Sequence, residues 1–167
     1  GMFPLVAEAI GKVLPLESLR YIGFAHVGAD EMGSLNRFLA AAPRAVAVAS
    51  QTAVMVSVND LADRPARALA DGEVLDLGRH ALRWVDAPHV PHGWENGFIL
   101  IDDLRALLCG DLVTQPGAEH PPIVEDDIHS SAFALEQLAP GCHRERPLHG
   151  EVGRDGLTAG ELGGSAR

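Results

Sequence analysis

The chain has 167 residues, a length that fits one domain able to bury a sizeable core without disulfides. Its formal net charge is −10 and its 13 basic residues are scattered, which argues against a nucleic-acid backbone as partner, because that binding rests on Lys and Arg neutralising phosphates. Hydrophobic residues make up 47% of the chain, in blocks; the longest, 40–58, is broken by Pro43, Arg44, Ser50 and Gln51. No segment approaches the roughly 20 apolar residues of a membrane span, so no membrane partner is expected.

In chain order, Leu5 to Val13 carries apolar residues at helical spacing and stops before Pro15. Leu19 to Phe24 reads as a buried strand, and His26 to Gly33 as a polar turn with two glycines. Ser34 to Ala41 reads as a helix ended by Pro43, and Ala45 to Ala49 as a strand of small apolar residues. Thr52 to Val58 is open between short helix and strand, followed by a loop through Asn59 and Asp60. From residue 71 the pattern changes. Asp71-Gly72 signals a turn, and Glu73 to Leu77 and Ala81 to Asp86 alternate around Gly78 like a hairpin. Phe98 to Ile101 and Ala106 to Cys109, joined by Asp102-Asp103, continue it as an antiparallel meander. Residues 117–122 read as loop and 126–138 as helix, and the small-residue tail 156–167 is expected to fray. The whole is an α/β mixture, β-α-β then meander then helix, forming one domain over residues 2–155.

Cys109 and Cys142 match no zinc spacing and make no disulfide framework. With no basic, apolar leader visible, a reducing cytoplasm is the expected location. Gly1 before Met2 reads as a tag-cleavage remnant.

The eight histidines carry the chemistry by their placement. His26, His89, His92 and His149 each follow an apolar run or sit at a Pro/Gly turn; Asp30 lies just beyond His26, and Asp111 follows Leu107-Leu108-Cys109-Gly110. A metal needs ligands converging from separate strand ends, and these are such positions. Imidazole with carboxylate suits iron, zinc or manganese. A carboxylate such as Asp111 can bridge two metals, whereas each imidazole nitrogen binds one and leaves the other for a supporting partner. Taken singly, each histidine is more often a surface or satisfied core residue, and the aspartate could simply cap a turn. His80, His120, His129 and His143 read as surface residues.

Together these stretches resemble the metallo-β-lactamase superfamily, and within it the oxygen-binding diiron, flavodiiron-like branch. His26-Val27-Gly28-Ala29-Asp30-Glu31-Met32-Gly33 resembles that branch's first metal loop, His-x-Glu-x-Asp-His-x-Gly. Asp86 to Trp94 is similar to its second histidine loop, Cys109-Gly110-Asp111-Leu112 to its bridging-aspartate strand end, and Leu148-His149-Gly150 to its last His-Gly. The resemblance covers roughly residues 15–155 and implies an αββα sandwich, short at the N-terminus. It implies metal ligands at His26, Asp30, His92, Asp111 and His149, with His89 an extra. Two positions depart from the pattern. Gly28 stands where the family has Glu, and Glu31 where it has a second loop His; Glu31 can still bind a metal through oxygen.

The resemblance implies iron, as a diiron pair, with zinc as the alternative. The function expected is an oxidoreductase acting on O2 or NO with electrons from a separate flavoprotein. The hydrolase version would instead lower the pKa of a metal-bound water towards about 7. The alternatives are a non-catalytic diiron oxygen sensor and a degenerate member with weak metal binding. Only about two dozen residues precede His26, so an uncovered sheet edge is expected to pair with a second copy. A glutamate placed at Gly28 is expected to raise metal loading, unless the glycine is there for a positive φ.

Overall fold

A computed structural model describes residues 1–115, 119, 121, 123–125 and 127. The expected helix over 126–138, the tail 156–167 and His149 lie outside the described residues or almost wholly so.

The chain enters through α1 (Phe3–Gly11), whose Pro4 sits in the first turn, where its missing N–H costs nothing. A three-residue strand, β1 (Tyr21–Gly23), follows, then the first ligand loop and two helices, α2 (Ala29–Met32) and α3 (Leu35–Ala41). The expected polar turn thus contains a helical turn, α2, closed by Met32 N–H donating to the carbonyl of Gly28. β2 (Val46–Ser50) leads directly into α4 (Gln51–Ala53), a π-helical turn Val54–Val58 and α5 (Asn59–Leu61). The loop expected at Asn59 and Asp60 is therefore helical. The Ser50 hydroxyl starts this helix by accepting the Ala53 N–H at 3.0 Å. Burial of Ala53, Val54 and Val58 keeps the β-branched run helical against its local preference.

β3 (Arg67–Leu69), which the sequence pattern did not reveal, completes a parallel sheet in the order β1-β2-β3. The second sheet is the expected antiparallel meander, β4 (Val74–Asp76), β5 (Ala81–Asp86), β6 (Gly97–Ile101) and β7 (Ala106–Leu108), in chain order. Arg83 pairs with Leu100 and Leu100 with Leu107, so the ladders are in register across β5, β6 and β7.

β2 is buried on both faces, as a central parallel strand must be. Its Ala47 and Ala49 face a core of Phe24, Met32, Leu35, Leu39, Ala53, Val54 and Val58 under the helices. Val48 points the other way, onto Leu69, Leu75 and Trp84 between the two sheets. Small residues on one face let the helices approach closely, and one large ring fills the other. Trp84 is 1% exposed, and a Cβ at Gly97 would lie 2.1 Å from its ring, so only glycine fits at the start of β6. Two packed sheets with helices over the first make a metallo-β-lactamase-like α/β sandwich. No helix among the described residues is long and apolar enough to cross a membrane.

Candidate metal centre

Three loops meet at one end of the sandwich: residues 24–28 after β1, 87–96 between β5 and β6, and the 3₁₀ turn Gly110–Val113 after β7. They carry His26, His92 and Asp111, and one potential ligand atom from each lies within 4.8 Å of the others. Asp111 Oδ2 sits 3.1 Å from His92 Nε2 and 3.8 Å from His26 Nε2. The imidazoles meet edge to face, with ring centroids 4.3 Å apart. His26 is buried, while the Asp111 and His92 side chains are each 37% exposed, so the cluster opens to solvent on that side.

Two imidazole nitrogens and a carboxylate oxygen facing one point are a donor set that suits iron or zinc. One feature beyond composition supports the fit. Glu31 Oε2 lies 3.3 Å from His26 Nδ1, so the second nitrogen of His26 has a carboxylate partner and Nε2 is left facing Asp111. Metal-bound histidines are commonly oriented in this way.

Of the residues singled out from sequence, the structure brings together His26, His92 and Asp111, which lie as many as 85 positions apart. Glu31, expected as an oxygen ligand, is turned onto the first loop: its Oε2 accepts the Ala25 N–H at 3.1 Å and the His26 N–H at 3.0 Å. It lies outside the three-residue group. Asp30 is exposed and approaches from across Gly28, where an added Cβ would be 2.8 Å from Asp30 Oδ1 and 2.7 Å from His26 Nε2. The α-carbon of Gly28 therefore faces His26 as expected, and a side chain there would have to displace Asp30 and press on His26. Its φ of −116° is open to any residue, so close approach, not a positive φ, accounts for the glycine. The positive φ that would have counted against a glutamate at Gly28 is absent, and such a side chain would start beside His26 Nε2 and Asp30 Oδ1. His89 is exposed with φ of 65° at the rim, and His80 pairs with Asp103 at 2.6 Å on the surface.

Glu95 was not singled out from sequence. It is 8% exposed, and its Oε1 accepts the Val27 N–H at 3.0 Å. A polar residue soon after Trp94 looks like loop, and nothing in local pattern marks a bond across 68 positions.

No family model matches the chain. Among solved structures, it is similar to rubredoxin oxygen:oxidoreductase from Desulfovibrio gigas, with a TM-score of 0.65 and 17% identity, covering 79% of this chain and 38% of that one. It is equally similar to the chemotaxis sensor ODP, solved as a peroxy diiron species: TM-score 0.66, 17% identity, 83% and 58% coverage. The chain shares the metallo-β-lactamase-like fold of these two proteins. The flavodiiron core of Flv1 from Synechocystis sp. PCC6803 shares it at a TM-score of 0.57 and 22% identity, covering 81% of this chain and 40% of that chain. The chain thus spans less than two thirds of each of these three chains.

Proposed function

We propose that this flavodiiron-fold chain binds iron through His26, His92 and Asp111 and acts as an oxidoreductase on O2 or NO, with electrons from a separate flavoprotein. The observation that carries the proposal is the convergence of those three side chains from three loops, with Glu31 behind His26. In this reading Asp30 reaches the same centre from across Gly28, and His149 supplies a further imidazole. Glu31 acts through His26 and not as a ligand.

Bound iron would supply the one-electron chemistry that reducing O2 or NO requires. The chain's own residues do the rest. Glu31 sets a carboxylate 3.3 Å from His26 Nδ1 and accepts the backbone N–H groups of Ala25 and His26, leaving Nε2 towards the centre. Asp111 sets negative charge between the imidazoles, where it offsets a cation. The half-exposed His92 and Asp111 leave the open side by which a small diatomic molecule enters. The proposed partners are an external flavoprotein and a second copy of the chain. Among the described residues β1 is hydrogen-bonded to a neighbouring strand on one side only, which leaves an edge for pairing.

The test is anaerobic loading with ferrous iron, desalting, and measurement of iron per chain, followed by O2 and NO consumption with reduced flavin as donor. The proposal expects retained iron, lost in His92→Ala, and consumption of at least one of the two gases. Retained iron with reversible O2 binding and no consumption would favour a sensor. A chain that keeps no iron, or keeps it equally well without His92, would sink the proposal.

A further inference from the structure

The buried carboxylate of Glu95 has no place in the ligand group, yet it touches the loop that carries His26. Its surroundings explain what it does. Glu95 and Asn96 end the His92 loop and Gly97 opens β6; all three are buried, and each bonds to a ligand loop. Glu95 Oε1 accepts the N–H of Val27, the residue after His26. The Gly97 N–H donates 3.0 Å to the carbonyl of Ala25, the residue before it. Asn96 Nδ2 donates to the carbonyls of Val90 and Ala87, inside the loop that carries His92.

The backbone on both sides of His26 is therefore tied to the segment that ends the His92 loop. The Glu95 carboxylate also lies across Gly93, where an added Cβ would be 3.1–3.4 Å from its oxygens and carbon. Gly93 has φ of 78° and directly follows His92. One side chain thus spans the residues immediately after both histidines. Its own carbonyl accepts the Ser50 hydroxyl at 2.7 Å, which roots the strut in β2.

We infer that Glu95 is a positioning residue, a buried strut whose bond to Val27 sets the spacing between the His26 and His92 imidazoles. The inference rests on the metal-centre reading for its purpose, but the strut itself is a property of the metal-free chain. It works as a hydrogen-bond acceptor at a fixed reach. Glutamine keeps both the acceptor and the reach; aspartate keeps the charge but is one methylene short.

The experiment compares wild type, Glu95→Gln and Glu95→Asp, full chain, with two readouts. The first is hydrogen exchange at the Val27 amide in metal-free protein. The second is titration with cobalt(II), following affinity and the visible ligand-field bands. We expect Val27 protection in wild type and Glu95→Gln, and at least a tenfold faster exchange in Glu95→Asp. Cobalt affinity falls at least tenfold in Glu95→Asp, with shifted bands, and stays within about threefold of wild type in Glu95→Gln. A residue with only a structural role would lower the melting temperature of Glu95→Asp without moving the cobalt bands, and that result overturns the inference. Equal losses in Glu95→Gln overturn it too, since charge and not the bond would then matter. If Glu95→Asp does not fold, Glu95→Gln still decides, because loss of Val27 protection or of the wild-type bands in that variant is equally fatal. If wild type takes up no cobalt, the metal-centre reading fails, and Val27 exchange alone judges the strut.

Discussion

The loops that present His26 and Asp111 reach the same point by different means. The His26 loop is held from a distance: Glu95 and Gly97 bond its backbone across about 70 positions, and Glu31 bonds it from α2. The turn bearing Asp111 is held by its neighbours. Leu112 N–H donates to the Cys109 carbonyl, and the Asp111 carbonyl accepts both the N–H and the hydroxyl of Thr114. His26 is 5% exposed, and the Asp111 side chain 37%. One wall of the centre is thus built into the core, where a change propagates into stability. The other is a local turn, where a change is expected to leave the core undisturbed.

Breaking the built-in wall should give the largest effect. Gly97→Ala drives a methyl into the buried Trp84 ring and displaces the donor to Ala25. It should cost about 3 kcal/mol in urea unfolding, at the upper end for overpacking, and abolish metal binding with it. Asp111→Asn attacks the other wall. It should weaken iron binding about a hundredfold, ~2.7 kcal/mol, while metal-free stability stays within about 0.5 kcal/mol, as for surface substitutions. A large stability loss in Asp111→Asn would erase the contrast between the two loops.

Gly28→Ala falls between the two, because it sits in the built-in wall but touches the proposed ligand His26 itself. Its methyl would press on His26 Nε2 and Asp30 Oδ1. Asp30 is exposed and can swing aside but His26 is buried, so stability should fall by about 1 kcal/mol, while metal affinity drops about tenfold, ~1.4 kcal/mol, in competition titrations.

The smallest effect is expected far from both walls, at Glu73. Its carboxyl is held below the ordinary value by the Ala70 N–H and then by Arg67. A lowered folded-state pKa means that the stabilisation is complete above the unfolded carboxyl's value of about 4.5 and is lost as pH falls through the folded value. Glu73→Gln should therefore flatten the acid limb of a stability–pH curve, by at most about 1 kcal/mol for so exposed a pair. Iron binding should not change.

The same contrast explains what could be read from sequence. His26, His92 and Asp111 stood out by their place at strand ends and turns, a local signal that His89 shares and that only the family resemblance resolved in favour of His92. The meander from β4 to β7 was legible through its alternation and its Gly78 turn. The supports were not. Glu95 acts through a bond to a distant loop, and Glu31 shows its role only once one sees which nitrogen of His26 it faces. At Gly28 spacing gave the direction of an added side chain, towards His26, but not that it would also meet Asp30. β3 is three residues, Arg67–Leu69, too short to alternate visibly, and the β-branched run 54–58 is helical because burial outweighs propensity.

The central claim is that His26, His92 and Asp111 hold iron together. The most direct test is a crystal structure of the iron-loaded chain with anomalous scattering measured at the iron edge. The account predicts a peak about 2.0–2.2 Å from His26 Nε2, His92 Nε2 and an Asp111 oxygen, with Glu31 still against His26 Nδ1. Full iron occupancy at some other place, with these three side chains unligated, would contradict it.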